Sequence, residues 1–274
     1  MDIEELAYLG IGKLKMRFEN KIDYDKYYVS YSGGNDSELL RWFVKDYMKL
    51  DIPIVAVNTY REHNEIRKRM YENADVILYP TKSMEYIKEN FGMPCFTKSQ
   101  DEVIKRYQRG CRTEYLMNRI YGTDGSIFKL NKRARTMLLA DELPNISCDC
   151  CLYTKKEPLL IYGEKTGLKP IIGVRGTEGK MRKSQYNTCL NKKGYFSPAY
   201  DLTNEMMVAI RTVYRLERLK IYGVLDRTGC IGCPYGKNTL TELQMVTPAQ
   251  TIRSFGESYE VLGIEYNMLD LGMH

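Results

Sequence analysis

The chain has 274 residues, 43% of them hydrophobic and 28% charged, with a formal net charge of +6. That composition fits one large domain, or one with a sizeable appendage, and excludes collagen, low-complexity disorder and a membrane bundle. No apolar run approaches the roughly 20 residues of a membrane-spanning helix, and the acidic start MDIEELAYLG is unlike a secretion signal, so a cytoplasmic chain that avoids membranes is expected. The histidines are two, His63 and His274, which leaves little for a Ser-His-Asp triad or a histidine-rich metal site.

In chain order, Ile3, Leu6, Ala7, Ile11, Leu14 and Phe18 recur at helical spacing and predict an amphipathic opening helix. Tyr27 to Tyr31 reads as a strand, broken by Gly33-Gly34, and Leu39, Leu40, Phe43, Val44 and Tyr47 return to helical spacing. Ile52 to Val57 is a short, β-branched apolar run suited to a buried strand. A helix over 61–72 and a strand over Val76–Leu78 follow. Strand and helix alternating at this pace predict an α/β fold, an open parallel sheet flanked by helices. The stretch 83–165 reads as mostly helical, Pro170 to Val174 as another strand, and 203–221 as one helix ending before Gly223. The last fifty residues show little periodicity. The expected organisation is a nucleotide-type α/β domain over 1–200 and a smaller C-terminal region over 201–274.

The segment Tyr28-Val29-Ser30-Tyr31-Ser32-Gly33-Gly34-Asn35-Asp36-Ser37 is strand, small-residue loop and helix start. Two glycines permit a tight turn and close approach of a ligand to the backbone. The following helix presents free N–H groups and the positive end of its dipole, a natural phosphate site. Ser32 and Ser37 offer hydroxyls, and Asp36 could hold Mg²⁺ on the phosphates. No lysine follows the glycines, so this is not a Walker A loop, and it is not G-x-G-x-x-G. The motif S-G-G-N-D-S resembles the PP-loop of the ATP pyrophosphatases, which bind adenine nucleotides and cleave between the α- and β-phosphates. That resemblance implies an adenine nucleotide, ATP with Mg²⁺, at the carboxyl ends of the strands. Val57-Asn58-Thr59-Tyr60-Arg61-Glu62 resembles the segment after the second strand of those families, which implies that Asn58 and Thr59 line the nucleotide site.

Eight cysteines are too few for a disulfide scaffold at this length, and their clustering is the informative feature. Cys148, Cys150 and Cys151 crowd together, Cys230 and Cys233 form a C-x-x-C, and Cys95, Cys111 and Cys189 stand alone. Cys150, Cys151, Cys230 and Cys233 could hold a [4Fe–4S] cluster or a structural zinc, or remain free thiols. The adjacent pair fits a zinc knuckle poorly and favours iron, and Cys148 leaves the membership of the first pair ambiguous.

A C-C pair followed about eighty residues later by C-x-x-C is similar to the cluster signature of adenylylsulfate reductases. Cys150 to Pro158, Gly173 to Arg182 and Arg227 to Cys233 resemble the wider phosphoadenosine-phosphosulfate (PAPS) reductase family, especially its phage and prophage members. The similarity spans about residues 28–240. It implies that Arg175 and Arg182 lie near nucleotide or sulfate, a role that suits the guanidinium fork. Lys155 and Lys156 read more readily as surface residues.

The resemblance stops at the nucleophile. Those reductases carry a cysteine in a C-terminal Glu-Cys-Gly-Leu/Ile-His motif, whereas this chain ends Leu269-Asp270-Leu271-Gly272-Met273-His274, with Leu271 at that place. Leucine cannot attack sulfur, so Cys189, ahead of Cys111, would have to substitute. The complete S-G-G-N-D-S is closer to ATP-cleaving members. The leading expectation is therefore a sulfur-transferring enzyme that activates its substrate with ATP. A sulfonucleotide reductase with a displaced nucleophile comes second, and a silent nucleotide-binding module third. Lys98, Lys105, Arg106, Arg109, Arg112 and Arg119 interleave with Tyr107, Tyr115 and Tyr121, a mix that makes nucleic acid a candidate substrate. A homo-oligomer is compatible with the sequence.

Overall fold

The computed structural model describes residues 2–123, 125, 129–178, 182, 186–245 and 249–264. Two compact units are present, and each is assembled from three stretches of chain. The first comprises 1–58, 63–79 and 158–226; the second comprises 59–62, 80–157 and 227–274. The units therefore interleave along the chain rather than dividing near residue 200.

The first unit opens with helix α1 (Ile3–Lys21), whose Asp2 forms a capping box with Glu5. Its buried stripe is Ala7, Ile11, Leu14 and Phe18, as the spacing requires. Strand β1 (Tyr27–Tyr31) leads into α2 (Asn35–Trp42), which runs on through a π-helical turn over Phe43–Tyr47. Strand β2 (Ile54–Val57), helix α3 (Asn64–Asn73) and strand β3 (Val76–Leu78) follow. After an excursion into the second unit the chain returns through the helix over Glu157–Thr166 to a further strand, β4 (Lys169–Ile172). The sheet order is β3-β2-β1-β4 and all pairs are parallel, with Val29 opposite Ile54 and Ile171. This is the expected open parallel α/β sheet. A core of Val29, Leu40, Phe43, Ile54 and Phe196 joins the sheet to its helices.

One expected element differs. The helix predicted over 203–221 occupies only Asn204–Val213. It stops because Arg215 takes a left-handed backbone with φ +52°, and a short 3₁₀ turn over Lys220–Gly223 follows. This helix packs on α1 at Gly10, where a Cβ would lie 2.8 Å from Ile210 Cδ1.

The second unit is helical: α4 (Met84–Phe91), α5 (Lys98–Gln108), α6 (Glu114–Tyr121) and α7 (Lys132–Leu139) precede α8 (Glu157–Thr166), only whose first residue belongs here. With α9 assigned to Asn204–Val213, two more helices close this unit, α10 (Thr239–Met245) and α11 (Ala249–Leu262). The weak periodicity of the last fifty residues concealed them. No helix among the described residues is long and apolar enough to cross a membrane.

Candidate functional site

Strand order makes a crevice at β1. The chain leaves β1 toward β2 and β3 on one side, while β4 lies on the other. Loops that follow neighbouring strands at such a switch point part company, and open α/β sheets bind ligands there, at the carboxyl ends of their strands. The loop after β1 is Ser32–Gly34, and the segment after β4 is Gly173–Arg175.

The glycine loop is built by its own residues. Gly33 has φ +68°, and a Cβ there would lie 2.9 Å from the Ile66 carbonyl oxygen and from Met70 Cγ. Ser37 is buried; its hydroxyl accepts from the Ser32 N–H at 3.2 Å and donates to the Gly34 carbonyl at 3.0 Å. Ser37 therefore ties the loop shut, whereas Ser32 is exposed at its tip. Gly34 begins α2 without a side-chain cap, so the positive end of that helix is covered by no capping side chain of its own.

Arg175 bridges the two loops. It is buried, and its Nε donates to Asp36 Oδ2 at 3.0 Å while Nη1 donates to Asn204 Oδ1 at 2.7 Å. Gly173 lets the strand end approach closely, because a Cβ there would meet the Asp36–Ser37 peptide at 3.3 Å. Three residues outside every motif complete the arrangement. Asn204 posts Arg175; Arg211 donates to the side chain and carbonyl of Asn35; and the Tyr222 hydroxyl accepts from the Asn35 N–H at 3.3 Å. All three come from chain far downstream, with no local motif to mark them. Asn58, at the end of β2, is buried and donates to the Tyr71 hydroxyl at 2.8 Å. Arg182 is half-buried, and its carbonyl accepts from the Tyr186 N–H. Its neighbours Gly179, Lys180 and Met181 lie outside the described residues, as does the tail containing Leu271. Cys189 is half-buried and packs against the core of the first unit.

The second unit gathers the clustered cysteines. Cys150, Cys151, Cys230 and Cys233 belong to one cluster with Met84, Ile87, Phe255 and Tyr259. Among the described residues, no set of three or more His, Cys, Asp or Glu side chains is drawn up as a metal-binding group. The C-x-x-C turn is held from several sides. The Gly232 N–H donates to the buried Glu242 at 2.9 Å, the Gly232 carbonyl accepts from the Tyr259 hydroxyl, and Thr239 donates to the Cys233 carbonyl at 2.7 Å. Burial pushes the Cys233 thiol up to about 12. Cys151 is held well below the usual thiol range by a hydrogen bond from Cys150, with the charges of Lys98 and Lys155 adding to it. The same bond and its burial drive Cys150 upward.

Lys155 belongs to this group, contrary to its reading as a surface residue. It is half-buried, and its pKa is raised by its electrostatic interaction with Cys230 first, and by Glu62 and Cys151 as well. Its position four residues after Cys151 was the available signal. Lys156 is exposed. Thr59 is also here: its hydroxyl donates to the buried Glu62 at 2.6 Å and lies 4.0 Å from Cys230 Sγ. Arg61, held by Ser254 at 3.0 Å, has its pKa lowered by burial, against the opposing pull of Cys230. Cys148 stands apart, donating to Glu102 at 3.4 Å. Of the basic middle, Lys105 is consumed by Glu102 and Asp149, whereas Arg112 stacks on Tyr107 at 3.6 Å and Tyr115 is exposed.

No protein-family model and no curated protein matches the chain. Among solved structures, the chain is similar to a phosphoadenylyl-sulfate (PAPS) reductase from Candida auris in a phosphate complex. The identity is 12% and the TM-score 0.41, covering 83% of this chain and 93% of that one. It is also similar to an NH3-dependent NAD synthetase from Campylobacter jejuni subsp. jejuni in complex with nitrate, at 14% identity and TM-score 0.36, covering 96% of each chain.

Proposed function

We propose that the chain is an adenine-nucleotide enzyme that cleaves ATP between its α- and β-phosphates and transfers sulfur to the activated substrate. The observation that carries this reading is the Asp36–Arg175 bridge across the crevice beside a glycine loop at a helix start. The loop supplies backbone N–H groups to phosphate oxygens, with Ser32 at its tip. Arg175, kept in position by Asn204, offers a guanidinium to the phosphate. Asp36 is half-exposed and is free to turn from Arg175 toward Mg²⁺. Arg182 is a second basic contact, and Asn58, at the end of β2, is the candidate for the adenine side.

For the second unit we propose a [4Fe–4S] cluster on Cys150, Cys151, Cys230 and Cys233. The donor set supports it: four soft sulfurs packed in one cluster, with Lys155, Lys98 and Arg61 to balance thiolate charge. When bound, such a cluster would supply a soft iron site for sulfide at an iron whose cysteine had left it, since four cysteines fill the outer position of all four irons. Lys155 and Arg61 stabilise the thiolate forms, and the Glu242 and Tyr259 bonds hold the C-x-x-C turn rigid. In the overall reaction an acceptor oxygen attacks the α-phosphorus and pyrophosphate leaves. Sulfide then displaces AMP, which carries the oxygen away. Nucleic acid is the proposed acceptor class, met by the Arg112–Tyr107 stack and the exposed Tyr115.

The test is anaerobic purification with iron, zinc and sulfide analysis, followed by pyrophosphate release from ATP with and without single-stranded nucleic acid. Iron and sulfide that vanish in Cys230→Ser, and pyrophosphate release that vanishes in Asp36→Asn, are expected. Stoichiometric zinc without sulfide would replace the cluster by a structural site. Thioredoxin-dependent sulfite release from adenylylsulfate, lost in Cys189→Ser, would replace sulfur transfer by reduction.

A further inference from the structure

The surplus charge of the chain is confined to one part of the second unit. Helices α5 to α7 and their connections, residues 98–139, hold ten Lys and Arg against four Asp and Glu, a surplus of six. That equals the net charge of the whole chain, and the remaining residues hold 31 of each sign. Two of the four acids are spent inside the unit. Asp101 is buried beneath its bonds from Cys95, Phe96 and Tyr235, and Glu102 holds Lys105. Glu114 stands at the first residue of α6, the opposite end from the contacts with α7, and Asp124 lies outside the described residues.

Four of the cations meet where α6 ends and α7 begins. The Leu130 N–H donates to the Arg119 carbonyl at 3.0 Å, and Arg135 Nη1 donates to the Tyr121 carbonyl at 3.0 Å. The Lys129 stem lies against Gly122, where a Cβ would meet its Cδ at 2.8 Å. Arg119, Lys129, Lys132 and Arg135 therefore share one end of the helix pair. Among the described residues, Lys129, Lys132 and Arg135 enter no ion pair. Exposed lysines of the first unit differ, since Lys15 faces Glu19 and Lys68 faces Glu72, each one turn on. The placement also works against the helix. The first turn of α7 contains no acid, and the positive end of its dipole repels Lys132 and Arg133. Cations gathered without acids against a helix dipole suit an anionic partner. Two rings stand beside them in solvent, Tyr115 at 60% and Tyr121 at 46% exposure, and Arg119 lies 5.8 Å from the Tyr115 ring centre.

We propose that this end of α6 and α7 is a docking surface for single-stranded nucleic acid. Its phosphates meet Arg119, Lys129, Lys132 and Arg135, and its bases stack on Tyr115 and Tyr121. A phosphate backbone supplies repeated charges to a row of cations. Exposed rings serve unpaired bases, because those of a duplex are already stacked on one another. The inference rests on the nucleic-acid acceptor proposed above and adds a surface beyond its Arg112–Tyr107 stack. Arg119 Nη2 donates to Ser99 at the start of α5, whereas Tyr107 lies at the other end, about 12 Å along the helix at 1.5 Å per residue. Docking here precedes the chemistry and needs no ATP.

The test is fluorescence anisotropy of labelled single strands of about 16 nucleotides, DNA and RNA of one sequence, titrated with the full chain across a salt series without ATP. The logarithm of affinity should fall with the logarithm of salt at a slope of about −2.8, or −0.7 for each of four phosphate contacts. Lys129→Gln/Lys132→Gln changes two exposed side chains that make no ion pair among the described residues, so the fold is kept. It should flatten the slope by about 1.4 and weaken binding about 25-fold at 0.1 M salt. Lys15→Gln/Lys68→Gln removes the same charge elsewhere and should leave affinity unchanged. Tyr115→Ala should weaken binding at least about fivefold with the slope kept. The tighter of DNA and RNA names the natural source. Failure of the full chain to bind a strand at low salt would overturn the surface. So would a duplex bound as tightly as the strand, or equal losses in the two lysine pairs. Pyrophosphate release is followed in parallel. Strand-stimulated release with binding unchanged in Lys129→Gln/Lys132→Gln would overturn this surface and leave the acceptor standing. Binding that depends on the two lysines without stimulated release would support the surface and remove the acceptor.

Discussion

Gly33→Ala should damage the fold, while Gly34→Ala should spare the fold and remove nucleotide binding. At Gly33 the backbone is left-handed, φ +68°, and the new Cβ would sit 2.9 Å from both the Ile66 carbonyl oxygen and Met70 Cγ. The conformation costs a non-glycine residue about 1–2 kcal/mol. Overpacking against the α3 backbone adds about 1–3 kcal/mol. The total is therefore about 2–5 kcal/mol. At Gly34 the backbone is ordinary, φ −75°, and a Cβ would meet only the ends of Ser32 and Tyr222, each at 3.3 Å. Each side-chain end needs to give by only a few tenths of an ångström, so its stability should change by no more than about 0.5–1 kcal/mol. Trp42, the chain's single tryptophan, lies in α2 of the same unit, so its fluorescence during urea unfolding reports that unit. With an m-value of about 2 kcal/mol/M, Gly33→Ala should lower the midpoint by about 1–2.5 M. Gly34→Ala should keep its midpoint within about 0.5 M of wild type and lose ATP affinity in calorimetry. A wild-type midpoint for Gly33→Ala would refute the left-handed loop, and undiminished ATP affinity in Gly34→Ala would refute close approach of phosphate to its backbone.

Other outcomes follow from individual contacts. Partial burial raises the Asp201 carboxyl, but the hydrogen bonds and charge of Arg17, joined by Lys13, outweigh it and hold the pKa below its ordinary value. Such a depressed carboxylate stabilises above its unfolded value, about 3.9, and the contribution is lost as pH falls through the folded value. The Trp42 urea midpoint should therefore drop on acidification below about pH 4, and Asp201→Asn should flatten that drop while costing about 1–3 kcal/mol at neutral pH. In the second unit, buried Asp101 accepts from the Cys95 and Phe96 N–H groups and from the Tyr235 hydroxyl. Tyr235→Phe should cost that unit about 1–2 kcal/mol, read as faster hydrogen exchange at those two amides. Arg211→Met should weaken ATP binding about tenfold, measured by calorimetry, because it frees Asn35 at the mouth of the loop.

Most of the local elements of the first unit could be read from the residues alone. The stripe Ala7, Ile11, Leu14 and Phe18 was legible because burial of one helix face imposes a period on the sequence, and Tyr27–Tyr31 because a central parallel strand is buried on both faces and reads as a near-continuous apolar run. The glycine loop was legible because a tight turn between strand and helix restricts residue type over a few consecutive positions. The four cysteines could be selected by type, though their joint packing with Met84, Phe255 and Tyr259 could not be read. What folding decided was long-range. The interleaving of the two units has no local signature, because a compact unit is defined by contacts and not by chain order. The same holds for Arg175 meeting Asp36, and for Asn204, Arg211 and Tyr222 closing on the loop. Even Ser37, chosen as a phosphate donor, serves the loop itself, since its hydroxyl is satisfied by Ser32 and Gly34. Sequence spacing supplies the donors and acceptors, and only the tertiary structure determines which of them are used up within the chain and which remain for a ligand.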